Sequence, residues 1–298
     1  MNNKKIKLSL SGFTGENNGP WYLSGQNTEN DCFSGNTGIG NYLFQLSACL
    51  ALCWDNNAEL YVPSIKTWCN QDNENINQDD TIWRNINSND FKSIKLINIP
   101  HGYSPNIFKF EQNSEYRGYL QSYKYFDHHK EKIQKTFQPN DTDLNYIYSK
   151  YSHLLKLKTC SLHVRRGKDF LKIAEKWNPN FLLKKSYYDK SINYFKNNVD
   201  IFLVFTDNLD YCKSLFNLSN YPDIKFHFIR ERDFVDLWIM SLCKNYILSN
   251  STFSWWAPYL NKNKCPVIAP KKSVFLEKKN KDYLDSVYYY KDWIILEE

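Results

Sequence analysis

Residues 160–167 read Cys-Ser-Leu-His-Val-Arg-Arg-Gly, an apolar run that breaks into two arginines and a glycine. Four more apolar, β-branched or aromatic runs follow: Ile201 to Thr206, Lys225 to Ile229, Tyr246 to Ser249 and Pro266 to Ala269. Helical stretches lie between most of them, such as Ser186 to Lys196 and Asp233 to Lys244. Strand alternating with helix predicts a parallel, doubly wound α/β sheet. Polar chemistry follows four of the five runs in register. Arg165, Arg166 and Gly167 follow the first; Asp207 and Asn208 the second; Arg230, Glu231 and Arg232 the third; Asn250, Ser251, Thr252 and Ser254 the fourth. Ligands of open α/β sheets bind at the carboxyl ends of strands, so this row is the predicted binding rim.

The first half is less regular. Ile6 to Ser11 alternates like a short strand, and 12–37 reads as a long loop rich in Gly, Asn, Ser and Thr. Gly38-Ile-Gly-Asn-Tyr-Leu-Phe-Gln45 opens an apolar helix through about Trp54, with a strand expected at Glu59 to Val62. Residues 69–92, rich in Asn and Asp, read as a surface excursion, and 127–155 as helix broken at the Pro139-Asn-Asp-Thr turn.

Two adjacent Arg at a strand exit diverge, so one can face a crevice while the other braces it. A guanidinium aimed at a departing diphosphate stabilises charge that grows in the transition state; a structural Arg–carboxylate pair is the alternative. Of 38 basic side chains only six are Arg, and Lys supplies the ordinary surface charge. Arg is therefore expected where its planar fork matters. Ser249-Asn-Ser-Thr-Phe-Ser-Trp-Trp256 turns from a strand end into a helix start. Its hydroxyls and open amides suit an anion, and simple N-capping by Ser251 or Ser254 explains them equally. Trp255 and Trp256 are assigned to the core. Gly38 and Gly40 permit close backbone approach, or form only a tight turn, and Asn41 adds a neutral amide. Asp141-Thr-Asp143 has a metal-binding spacing, but it follows Pro139-Asn140, does not follow a strand, and reads as a turn with a helix cap.

The 298 residues suffice for two packed domains. Net charge is +6 with no basic stripe, which fits an anionic small ligand better than a nucleic acid. Eight scattered cysteines contain no Cys-x-x-Cys, so no zinc site is expected from them. Neither an apolar leader nor a run of about 18 apolar residues occurs, so the expectation is a cytoplasmic protein with reduced thiols, with no membrane span and at most peripheral to the inner membrane.

With these segments in view, the chain resembles the α-1,2-fucosyltransferases of family 11. The resemblance rests on Gly38 to Gln45, on Gly118 to Phe126 (Gly-Tyr-Leu-Gln-Ser-Tyr-Lys-Tyr-Phe) and on His163-Val-Arg-Arg-Gly167. Phe205-Thr-Asp-Asn208, Asp236 to Cys243, Asn250 to Trp256 and Val267 to Lys271 extend it. It implies a GT-B-like fold of two Rossmann-type domains with a cleft between them: 1–155 on the acceptor side and 156–298 holding GDP-fucose. It further implies inverting, metal-independent transfer of L-fucose from GDP-β-L-fucose to O2 of a terminal galactose, with no cofactor beyond that co-substrate. Carried over by position, Arg165 is the diphosphate Arg and Asn41 a donor-phosphate contact. His163, Asp207 and Asn208 are guanosine-side contacts, and Ser251, Thr252, Phe253 and Ser254 form the phosphate and nucleoside loop. Arg166 is counted with the donor-binding residues.

Two departures stand out. Lys168 occupies the position where the family has an acidic residue, which displaces the carboxylate to Asp169. The 12–37 insertion borders the expected cleft and bears on acceptor choice. Asp169 is the first candidate for general base and Glu175 the second, the alternative being that both only neutralise the arginines. Two further readings stand beside this one: a transferase with another GDP-sugar or linkage, and an inactive sugar-nucleotide or glycan-binding protein.

Overall fold

The computed structural model describes residues 4–8, 38–62, 78–87, 92–100, 102–177, 181–271 and 287–297. The 12–37 loop expected from the sequence lies outside these residues. The chain forms two compact units, Met1–Ile133 and Gln134–Glu298. The 155/156 boundary expected from the sequence falls later, after a helix that belongs to the second unit.

In the first unit, strands β1 (Lys5–Leu8), β2 (Glu59–Tyr61), β3 (Lys95–Asn98) and β4 (Ser114–Arg117) make one parallel sheet in the order β2-β1-β4-β3. Helix α1 (Ile39–Asn56) connects β1 to β2 and buries Leu43, Phe44, Leu46 and Ala51. Asn57 ends it in the left-handed conformation that Asn tolerates, its N–H returning to Cys53 and Trp54 carbonyls. Part of the stretch read as a polar excursion proves to be core. Ile82, Trp83 and Ile86 are buried, and Trp83 meets the Tyr42 ring edge-on at 6.2 Å.

The boundary falls inside α2 (Lys130–Phe137). The second unit continues through α3 (Asp141–Leu155), β5 (Thr159–Val164), α4 (Lys168–Trp177), α5 (Lys185–Phe195), β6 (Ile201–Thr206) and α6 (Leu209–Leu215). It ends with β7 (Phe226–Ile229), α7 (Asp233–Ser241), β8 (Asn245–Ile247), α8 (Thr252–Leu260), β9 (Val267–Pro270) and β10 (Ile294–Leu296). The expected strands and helices of this half are all present, with α7 ending earlier than the sequence suggested.

Its six-stranded sheet is parallel throughout, in the order β10-β9-β8-β5-β6-β7. Counted within the unit this is 6-5-4-1-2-3, the order of a dinucleotide-binding Rossmann sheet. Both faces are covered, which is why the strands read as continuous apolar runs. Cys160, Leu162, Val164, Phe202, Val204, Ile247 and Ile268 share one core with Tyr187, Tyr188, Ile192 and Phe195 of α5. Side chains alternate along a strand, so Ser161 and His163, although buried, point to the opposite face from Leu162. Each fully buried Leu or Phe contributes about 1.5–3 kcal/mol through area removed from water. That core fixes where the strand ends stand.

Candidate functional site

The order of the sheet sets the place to look. β5 and β8 are neighbours, yet the chain leaves β5 toward β6 on one side and reaches β8 from the other. The strand order reverses here, and open α/β sheets bind ligands beyond the carboxyl ends of the strands at such a point. The Arg165–Gly167 exit belongs to β5 and the Ser249–Ser251 exit to β8.

At the β5 exit, Arg165 is held by two carboxylates. Its Nη1 donates to Asp207 Oδ2 at 2.5 Å, and its Nη2 donates to Asp169 Oδ2. Asp207 also accepts the backbone N–H of Arg166 through Oδ1 at 2.5 Å. One carboxylate at the end of β6 therefore fixes both the side chain and the backbone of the β5 exit. Asp169 stands four residues after Arg165 in the first turn of α4, so the extra Lys168 still leaves a carboxylate within reach. The two partners differ in exposure: the Asp169 side chain is 53% exposed and Asp207 only 16%. Gly167 is demanded by this packing. A Cβ there would stand 2.7 Å from Asp207 Oδ2 and 2.8 Å from Asp169 Oδ1.

Arg166 turns another way. Its guanidinium lies over the Tyr211 ring at 4.4 Å and donates to the Leu183 carbonyl at 3.2 Å. Asn208 caps α6 by accepting the Tyr211 N–H, and its Nδ2 donates to the Arg166 carbonyl at 3.2 Å. Asp207 and Asn208, expected as guanosine contacts, are thus engaged with the arginine loop.

At the β8 exit, His163 Nδ1 pairs with Ser249 Oγ at 2.7 Å, across the reversal point. Its ring packs on Phe253 with centroids 5.3 Å apart. Burial and then the nearby Arg165 charge depress the imidazole pKa to about 3, so the ring is neutral at physiological pH. The Ser249 N–H donates to Ser254 Oγ at 3.2 Å. The Ser254 hydroxyl in turn reaches the Ser249 and Ser251 carbonyls. Ser251 is the N-cap of α8 and accepts the Phe253 N–H at 3.3 Å. Ser251 and Ser254 thus both serve as local caps, and Thr252 opens the helix between them. Asn250, buried, donates to the Phe181 carbonyl at 2.6 Å. The sequence singled out Asn250 and Ser251 but gave no role to Ser249, whose partner lies 86 residues away. Trp255 and Trp256 are core residues, 1% and 0% exposed.

The β7 exit is divided. Arg230 and Arg232 are exposed. Glu231 turns to α3, where it accepts from Lys150 at 2.6 Å, Tyr151 at 2.5 Å and Tyr146 at 2.9 Å. Burial pushes the Glu231 carboxyl up, but these hydrogen bonds outweigh it and hold the group below its ordinary value. Asp236, on the first turn of α7, accepts the Glu231 N–H at 3.0 Å, and burial holds its carboxyl well above the carboxylate range.

Glu175 is exposed on α4. Six residues beyond Asp169, it lies about 9 Å further along the axis and about 120° round the helix. The structure does not bring it to the arginine cluster by the route Asp169 takes. Asp141 and Asp143 sit in the first turn of α3. Asn140 accepts the Asp143 N–H at 2.8 Å, and Asp143 accepts the Asn140 N–H at 3.3 Å, a reciprocal capping box.

The remaining candidates belong to the first unit. Gly38 is the N-cap of α1 with an ordinary φ of −60°, and a Cβ there would meet nothing within 4 Å. Gly40 is buried. Asn41 Oδ1 accepts from Gln121 Nε2 at 2.7 Å, and Gln45 Nε2 donates to the Gly118 carbonyl at 2.9 Å. The start of α1 is thereby tied to the exit of β4. Between those anchors Leu120 holds φ at 52°, a left-handed backbone costly for a γ-branched residue.

Residues 36–297 match the family described as glycosyl transferase family 11. Over 152 residues the chain is 36% identical to an alpha-1,2-colitosyltransferase of Escherichia coli, a stretch covering 49% of this chain and 51% of that protein. Over 178 residues it is 33% identical to the O-antigen biosynthesis glycosyltransferase WbnK of Escherichia coli, covering 56% and 58%. The match thus spans about half the length of each relative. Among solved structures, the chain is similar to NodZ alpha-1,6-fucosyltransferase soaked with GDP-fucose, with a TM-score of 0.48, 14% identity, and coverage of 87% of this chain and 92% of that one. No helix among the described residues is long and apolar enough to cross a membrane.

Proposed function

The chain belongs to glycosyl transferase family 11, and from that membership we propose that it transfers L-fucose from GDP-β-L-fucose to O2 of a terminal galactose, with inversion and without a metal ion. The observation that carries the proposal is Arg165, fixed by Asp207 at the reversal point of a Rossmann sheet. A guanidinium locked before the donor arrives loses little on reorganisation and meets the charge that grows on departing GDP.

The ion pairs give Asp169 a place in the mechanism. With Arg165 and Arg166 against Asp169 and Asp207, the cluster is formally neutral. An arriving diphosphate competes for Arg165, and the partner that yields is the exposed one. Asp207, held also by the Arg166 N–H, stays. Displaced Asp169 is then an unpaired carboxylate beside the reacting centre, suited to take the acceptor hydroxyl proton. His163, buried and neutral, adds no charge and orients Ser249. The start of α8, where Ser251, Thr252 and Phe253 are half-buried, suits the remaining phosphate and nucleoside. Within the first unit, a Cβ at Gly38 would meet nothing within 4 Å, which leaves room for a ligand beside Asn41.

Asp169→Asn separates base from ion pair. Transfer should fall by on the order of 10²-fold or more while GDP binding is kept or tightened. Normal turnover would move the base elsewhere. The activity itself is tested with GDP-fucose and a panel of galactosides, chelator present, with the product linkage identified; no product from any galactoside refutes it. A second reading replaces fucose by a related sugar, and similarity to a protein named for colitosyl transfer favours it. Comparing donors in the same assay distinguishes the two.

A further inference from the structure

Asp55 lies in the last turn of α1, and His128 and His129 lie on the 3-10 turn Asp127–His129 that leads into α2. His128 Nε2 is 2.9 Å from Asp55 Oδ2, and His129 Nε2 is 2.7 Å from Oδ1. Two imidazoles from consecutive residues therefore converge on the two oxygens of one carboxylate, their ring centroids 4.5 Å apart. The three donor atoms lie within 4.8 Å of one another. Around a tetrahedral ion with bonds of about 2.0–2.1 Å, ligand atoms stand roughly 3.4 Å apart. Small side-chain shifts bring the set to that spacing.

The surroundings suit a bound cation with an open coordination position. Side-chain exposure is 44% for Asp55, 49% for His128 and 26% for His129, so water can complete the shell. The His129 ring is braced edge-on by Trp54 at 5.3 Å. The nearby Lys132 ammonium lies over the Trp54 ring at 3.9 Å. Cation–π contact gives that charge a partner apart from the carboxylate.

We propose that Asp55, His128 and His129 bind one divalent transition-metal ion of the zinc class, through both Nε2 atoms and the carboxylate, with water completing the shell. Each ring carries its proton on Nδ1 when Nε2 ligates. The ion pins the end of α1 to the turn before α2, inside the first unit. It is separate from the transfer chemistry, for which no metal is proposed.

The test titrates the full-length chain, stripped with chelator and dialysed, with Zn²⁺ by calorimetry and with Co²⁺ by absorption. The expected result is one ion per chain, with Co²⁺ ligand-field bands and no sulfur-to-cobalt charge transfer. His128→Ala, His129→Ala and Asp55→Ala should each weaken binding by at least about tenfold. His153→Ala and Cys265→Ser should leave it unchanged. Should an alanine variant misfold, His128→Gln keeps a polar side chain and is expected to lose affinity likewise. No binding to the wild-type chain would overturn the proposal and leave a hydrogen-bonded surface trio. Binding that survives all three substitutions, or a thiolate band, would overturn it equally.

Discussion

Replacing Asp207 by Asn removes one charge and almost no volume. The wild-type carboxylate accepts two charge-assisted or constrained hydrogen bonds, from Arg165 Nη1 and from the Arg166 N–H, each at 2.5 Å. Hydrogen bonds to a charged group contribute about 1.5–3 kcal/mol each. An Asn carbonyl can keep the Arg166 N–H, but its amide then faces the Arg165 guanidinium, donor against donor. The side chains are 23% and 16% exposed, so water screens part of the loss. The net cost should be about 2 kcal/mol, a fall in thermal midpoint of about 4–8 °C for a unit of this size. In an Arg165→Met background the same substitution should cost only about 1 kcal/mol, the difference being the coupling between the two side chains. Calorimetric melting of the four proteins measures that cycle, and GDP titration should show roughly tenfold weaker binding in Asp207→Asn. Additive costs in the cycle, with GDP affinity unchanged, would refute the view that Asp207 positions Arg165.

The remaining predictions concern His163 and two glycines. His163 is folded with a pKa of about 3 against 6.5 for a free ring. The unfolded chain therefore takes the proton first as pH falls. Stability from this group is intact above about pH 6.5 and is lost toward pH 3, at about 1.4 kcal/mol per pH unit. Urea unfolding at pH 7 and pH 5 should show His163→Gln lacking about 2 kcal/mol of the wild-type decline, and parallel declines would contradict it. Gly167→Ala forces a Cβ to 2.7 Å from Asp207 Oδ2. It should cost roughly 1–3 kcal/mol and disturb Arg165. Gly38→Ala meets nothing within 4 Å and should melt like wild type, so any loss of turnover reports a ligand approaching that backbone.

The second unit was largely legible because its strands are covered on both faces and read as unbroken apolar runs. The cap of α3 was legible for a local reason, since Asn140 and Asp143 are three residues apart. The first unit hid more. β4 is Ser-Glu-Tyr-Arg, with buried Ser114 and Tyr116 alternating with half-exposed Glu115 and Arg117. β3 is an edge strand with three of four residues exposed, so neither strand offered an apolar run. Ile82, Trp83 and Ile86 have the spacing of a single helical turn, too short a set among Asn and Asp to stand out as a period. The site divides the same way. The arginine pair and the serine loop stood out because each is contiguous. Asp207 as brace, the His163–Ser249 pair and the Asn41–Gln121 bond join residues 42, 86 and 80 apart, which only the folded chain brings together.

The transfer rate of Arg165→Ala, measured under single turnover from GDP-fucose with chelator present, bears on the leaving-group role of that guanidinium without intermediaries. The rate should drop by on the order of 10²-fold or more, with Arg165→Lys recovering only part because a point charge does not reproduce the fork. A rate within a few-fold of wild type would show that charge on departing GDP is met somewhere else.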